Sequence, residues 1–242
     1  MKSILKIGVA AVAVSAVAPS FAAADTEEAE VAPEYEAVGW TPVAIGIASP
    51  VQIPWGRGIW DVFGLDLNLI YSDSAKMYGL GLGGAAMATR DDMKGMQLSA
   101  FCNWASKDVY GIRATIGGNV AFGNTYGIEL GTFGYRQGEF RGLDAEIFGG
   151  YEDYLWGVGV AGICNVATEQ SYGLELAVGG NYAKVAYGLQ LGAIFNFTDE
   201  LHGFQIALVN YARECPWGLQ IGLVNMIMDN TLKVLPLINF YF

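Results

Sequence analysis

Apolar and polar positions alternate with a period of two along most of the chain, and the alternation restarts every fifteen or sixteen residues. GLELAVGGN from Gly173, GLQLGAIFN from Gly188, GFQIALVN from Gly203 and GLQIGLVN from Gly218 are variants of one phrase. With the glycine as position zero, copies begin at Gly64, Gly79, Gly95, Gly111, Gly127, Gly142, Gly157, Gly173, Gly188, Gly203 and Gly218, which makes eleven in tandem. The next residue is always apolar (Leu65, Leu80, Met96 and onward to Leu219), and so is the residue two further on (Leu67, Leu82, Leu98 and onward to Ile221). Between them stand Asp66, Gln97, Arg113, Glu129, Asp144, Glu175, Gln190, Gln205 and Gln220, with glycine at Gly81 and Gly159. Such alternation predicts strands with one apolar and one polar or small face. SDSAK, ASKD, ATEQS and TDEL read as turns between them.

A strand of about ten residues spans about 33 Å, and tilted near 45° it covers the roughly 25 Å apolar band of an outer-membrane barrel. The expected fold is therefore all-β: an antiparallel up-and-down β-barrel of about 12 strands, twelve or thirteen with PVAIGIAS from Pro42 and the last strand counted. Aromatics before the glycine, Tyr78, Tyr110, Tyr126, Trp156, Tyr172, Tyr187 and Trp217 among them, are expected as girdles at the membrane surfaces. The polar positions named above, together with Glu146, are the expected lumen lining. Five acids (Asp66, Glu129, Asp144, Glu146, Glu175) against Arg113 give it a charge of −4, which favours small cations or solutes in a hydrated channel. A closed, Gln-rich hydrogen-bond network is the non-conducting alternative. The architectural alternative is a parallel β-solenoid with the Leu, Ile and Val stripe in a dry interior; connectors of uniform length favour it, and the tightness of a fifteen-residue coil opposes it.

Composition adds a location. Residues 1–24 carry Lys2 and Lys6, an apolar run from Ile7 to Ala18 and small residues at Ala22 and Ala24, the pattern of a cleaved secretory signal peptide. Residues 25–40, with DTEEAEVAPEYEA, read as an acidic disordered leader, and 41–242 as the repeat domain. Without residues 1–24, 11 basic residues face 24 acidic ones, which disfavours nucleic acid. Partners expected for an outer-membrane location are the lipid bilayer and the outer-membrane assembly machinery, toward which the terminal Phe240 and Phe242 resemble an aromatic signal.

The repeats, the opening PVQIPWGRGIWDVFGLDLNLIY and the ending LPLINFYF resemble a largely uncharacterised family of bacterial surface-repeat proteins, from about residue 42 to 242. The resemblance implies export and a surface or outer-membrane location, and it brings no catalytic residue.

Enzyme chemistry finds little support. His202 is the single histidine, there is no G-x-S-x-G elbow, and no metal or cofactor is expected. GLGLGG from Gly79 lies within a strand with no helix following, so it is no phosphate loop. Cys102 and Cys164 lie four strands apart in the expected barrel, beyond disulfide reach, and Cys215 falls in a connector.

Overall fold

The computed structural model describes residues 37–56 and 59–241. The expected signal peptide, most of the leader and Phe242 lie outside them. Sixteen strands and no helix occur among the described residues, linked in one continuous hydrogen-bonded ladder.

The ladder corrects the barrel. Gly64, Gly79, Gly95, Gly111, Gly127 and Gly142 pair rung to rung, as do Gly157, Gly173, Gly188, Gly203 and Gly218, and every one of these pairings is parallel. Parallel neighbours in register fifteen or sixteen residues apart make each copy one coil of a β-solenoid. The period-two pattern could not exclude the barrel, because it fixes which side a residue faces and not the direction of the neighbouring strand.

Fifteen residues suffice because the coil is flattened. A long rung such as Met93–Ser99 and a short rung such as Cys102–Ala105 form two opposed faces, stacked on Val109–Thr115 and Gly118–Ala121 of the next coil. Tight turns close the coil at one edge, and at the other the later strands, such as Cys164–Ala177 and Gly180–Gly192, bend through unbroken from short rung to long rung. Backbone N–H groups in the turns donate along the stack, as in Ile194 to Gly179 (3.0 Å) and Val224 to Leu208 (3.0 Å).

Side-chain polarity is inverted across the coil. On the long rungs the stripe flanking each polar position faces out: Leu65, Leu82, Ile128, Leu130, Phe204, Ile206 and Ile221 are all exposed. One edge ends in exposed apolar tips at Leu69, Phe101, Ile116, Ile147, Ile163, Val178, Ile194, Leu208 and Leu223, reaching 76% exposure at Ile116. Beneath that edge the interior is polar. Beneath the opposite edge, which carries Lys76, Asp91, Asp92, Lys107, Glu169, Lys184 and Glu214, lies the apolar core: Phe140, Leu155, Ala167, Ala183, Leu201, Ala212 and Ile227, with Met77, Met93 and Val109 in the earlier coils. The dry Leu, Ile and Val interior expected for a solenoid is thus replaced by its reverse along the uncharged edge.

Both ends of the stack use antiparallel strands. Val51–Ile53 folds back on Gly39–Ala48, and Val234–Tyr241 runs antiparallel along the last coil with a register shift between Gly222 and Asn225. Leu237, at φ 68, sits opposite Gly222 at that shift. Asn239 points inward, whereas Leu237, Ile238 and Phe240 are exposed.

Candidate functional site

Two columns of amide side chains run through the interior under the uncharged edge. On the short rungs, Asn165 Nδ2 donates to Asn181 Oδ1 (2.9 Å), Asn181 to Asn196 (2.9 Å), Asn196 to Asn210 (3.0 Å) and Asn210 to Asn225 (2.9 Å). The same Nδ2 groups reach carbonyls of the next coil, as Asn196 does to Ile206 O (3.1 Å) and Asn210 to Ile221 O (2.9 Å). On the long rungs, Gln220 Nε2 donates to Gln205 (2.9 Å), Gln205 to Gln190 (2.8 Å), and Gln190 to Glu175 Oε2 (2.8 Å). Each amide is buried and offers both a donor and an acceptor, so one residue type repeated at one position satisfies itself along the stack.

All ten residues expected to line a lumen, Asp66, Gln97, Arg113, Glu129, Asp144, Glu146, Glu175, Gln190, Gln205 and Gln220, lie in this interior and are buried. They occupy the space between two apposed faces. Asp66 accepts from Ser72 Oγ (2.5 Å) and Asn68 Nδ2 (2.7 Å), and Gln97 Nε2 donates to Thr89 Oγ1 (2.7 Å). Burial raises the Asp66 carboxyl above its ordinary range, against those two donors.

Midway along the stack the amides give way to charge. The asparagine position is glycine in two successive coils, Gly134 and Gly150. A Cβ at Gly134 would strike the Arg136 guanidinium, and one at Gly150 would meet Asp144, Glu152 Oε2 (2.8 Å) and Arg136 Nη1 (3.0 Å). The two glycines make room for Arg136, which lies 2.7 Å from Glu129, 2.5 Å from Asp144, 2.9 Å from Glu152 and 3.6 Å from Glu146. Arg113 pairs with Glu129 one coil earlier, and Phe140 stacks under Arg136 with its ring centroid 4.5 Å from the guanidinium carbon.

Four carboxylates against two arginines leave this buried group at −2 if all are ionised. Burial pushes Glu146 and Glu152 well up, each further raised by Asp144, and two bound protons bring the group to neutrality. Glu129 goes the other way: burial alone would raise it, but Arg113 and Arg136 together hold it below the ordinary value. Glu175, with Ser171 and Gln190 as its donors, is carried by burial up to about 7. Carboxylate oxygens of Glu129, Asp144 and Glu146 come within 4.8 Å of one another, a spacing that suits a cation, and the Arg136 guanidinium already occupies that role.

The expected girdle residues line up on the outer long face, between the apolar stripe and the charged edge. Phe63 stacks on Tyr78 (5.0 Å between centroids), Tyr110 on Tyr126 (5.0 Å), Trp156 on Tyr172 (4.0 Å), Tyr172 on Tyr187 (4.5 Å) and Tyr187 on His202 (4.4 Å), and Trp217 pairs in register with His202. Where two copies carry a base instead, the column is bridged by cation–π contacts: Lys94 Nζ sits 5.1 Å from Tyr78 and 5.3 Å from Tyr110, and Arg141 sits 5.8 Å from Tyr126 and 5.3 Å from Trp156. His202 is therefore one ring of the column, with Nε2 2.6 Å from Glu200. A second aromatic column on the short face escapes sequence reasoning: Trp104, Tyr135, Tyr151, Tyr182, Phe197 and Tyr211 stand one residue after the asparagine position of their copies, and Phe122 from the adjoining turn bridges Trp104 and Tyr135. Cys102, Cys164 and Cys215 are unpaired thiols, and Cys164 and Cys215 are buried.

No family model, curated protein or solved structure matches the chain.

Proposed function

We propose that this protein is a non-conducting structural repeat protein of the bacterial surface, seated at the outer membrane and working through the side-chain columns it displays. The chain is a β-rich repeat protein, and its rigidity follows from coils that each satisfy the next. The observation that carries the proposal is the filled interior: continuous Asn and Gln columns and the Arg136 cluster occupy the space in which a conducting path would run. A narrow acidic channel would need those carboxylates hydrated, whereas Glu129 and Asp144 are fully buried against arginine. Export is supported by residues 1–24, and outer-membrane residence by the apolar outer surface, on which the tips from Leu69 and Phe101 to Leu208 and Leu223 form one continuous exposed row.

Planar-bilayer recording of the purified protein tests this reading. The expected trace has no conductance steps. Reproducible unitary steps whose cation selectivity changes with Glu129→Gln and Glu175→Gln would overturn it.

A further inference from the structure

We propose that the uncharged edge of the solenoid sinks into a single leaflet of a lipid bilayer while the opposite edge stays in water. This rests on the surface reading above and names the partner of that surface as lipid hydrocarbon.

Charge is sorted for it. Between the glycine of each long rung and the second outward residue of the following short rung, every Asp, Glu, Lys and Arg points into the interior, as Asp66, Arg113, Glu129 and Glu175 do. What faces out there is apolar or small, and it ends in tips such as Val178, Ile194 and Leu208. An uncharged surface complements a medium that cannot solvate charge.

The polarity of the interior fits as well. Under the charged edge the core is apolar, the arrangement of a domain in water, and under the uncharged edge it is hydrogen-bonded amide, the arrangement of a protein in lipid. A lipid-facing turn must also satisfy its backbone internally. Turn N–H groups here do so, with Val178 donating to Ala161 O (3.2 Å), Ile194 to Gly179 O (3.0 Å) and Val209 to Ile194 O (2.9 Å).

Depth is set by the aromatic columns. Tyr187 and Trp217 on the long face and Tyr182 and Tyr211 on the short face stand where charge begins, the level at which rings mark a membrane–water boundary. From Phe204 to Leu208 the chain runs four residues, about 13 Å of strand. Half of a hydrocarbon core is about 15 Å, so the edge fills one leaflet and stops.

A second copy is a poorer occupant. Two tip edges meeting head-on share a strip about 50 Å long and about 7 Å wide, about 350 Å² a side, under half of the about 800 Å² per partner of a stable interface.

Flotation of the full chain with phosphatidylcholine vesicles tests the proposal. The protein is expected in the vesicle fraction, equally at low and high salt, without release of an entrapped dye. Val178→Asp with Ile194→Asp and Leu208→Asp is expected to lower partitioning by about a hundredfold or more, since a charge moved into hydrocarbon costs about tenfold or more. These side chains are exposed, so the triple variant should keep the wild-type circular dichroism. Lys184→Ser with Arg213→Ser on the charged edge is the matched control and should float like wild type. Failure of wild type to float, flotation unaffected by the three aspartates, dye release, or tip-dependent dimers that do not float would each overturn the leaflet proposal. None of these bears on conductance: unitary steps in a bilayer would sink the non-conducting reading instead.

Discussion

Arg136 and Glu152 occupy the same column of neighbouring coils and meet inside the solenoid at 2.9 Å, both fully buried. Two glycines, Gly134 and Gly150, leave the space that this contact fills. Arg136 also faces Glu129, Asp144 and Glu146, so it supplies one of the two positive charges in a carboxylate group shielded from water. Arg136→Met keeps the volume and removes the charge. It is expected to cost roughly 3–5 kcal/mol, as for a buried pair broken on one side; urea unfolding reads this, and a loss under about 1 kcal/mol would contradict the role given to Arg136.

Glu175 links stability to pH. Its folded-state pKa is raised from 4.5 to about 7, so between those values the folded state holds a proton that the unfolded state has released. Its contribution is therefore complete below about pH 4.5, declines as pH rises toward 7 and is level beyond. Gln is the residue that continues this column at Gln190, Gln205 and Gln220. Glu175→Gln is expected to gain stability at pH 8, by up to roughly 3 kcal/mol at about 1.4 kcal/mol per unit, with a flatter profile from pH 4.5 to 7. An unchanged profile in chemical denaturation would refute the assignment.

The glycine column tolerates no side chain. Gly142 sits at φ +145, and a Cβ there would collide with the carbonyl oxygen of Gly127 in the coil beneath. Gly159 lies two residues beyond Gly157 in the next coil, where a Cβ would find its nearest neighbours, Asn165 Oδ1 and Leu155, at 3.3 Å. Gly142→Ala is expected to cost about 3 kcal/mol or more through lost rung hydrogen bonds and strain. Gly159→Ala is expected within about 1 kcal/mol of wild type. Paired thermal melts distinguish them, and equal effects would count against the in-register column.

The asparagine column is expected to be intolerant of loss at its middle. Asn196 Nδ2 serves Asn210 Oδ1, Gln190 O and Ile206 O at 3.0–3.1 Å, and its Oδ1 accepts from Asn181. Asn196→Ala leaves these buried groups unpaired and should cost roughly 2–4 kcal/mol, from about 1–3 kcal/mol per orphaned group with partial relaxation. Asn196→Asp, which keeps the shape and removes the donors, should be comparably damaging at pH 7 by the same denaturation assay.

Repeat length and the facing of the long-rung residues were legible in the sequence because period two dictates them, but ATEQS and TDEL, expected as turns, lie within Cys164–Ala177 and Phe195–Ile206, and the break in those copies falls at the uncharged edge instead. Strand direction was not legible. Leu65 and Leu67 alternate with Asp66 identically in a barrel wall and in a solenoid rung. The discriminating signals were the uniform connectors and the glycine at one fixed position in every copy, which parallel in-register stacking requires and an antiparallel meander does not. The inward set from Asp66 to Gln220 could be named because it shares one parity, but whether it meets water depends on the separation of the two faces, a tertiary quantity. Arg136 and Glu152 escaped notice because they lie on the short rungs; their signal was the loss of asparagine at Gly134 and Gly150 beside new charge.

Parallel in-register stacking aligns the amide columns, the buried charges and the glycines from coil to coil, and Glu169 with Lys184 tests it most directly. These residues lie fifteen apart on adjacent coils, with their charged groups 2.5 Å from each other. Spin labels at Glu169→Cys and Lys184→Cys, in a chain whose three native cysteines are alanine, should show strong dipolar broadening from a separation of about 10 Å, one rung of about 4.8 Å plus label reach. In an antiparallel meander the same positions fall at opposite ends of neighbouring strands, about 25 Å apart, and spectra without broadening would contradict the solenoid.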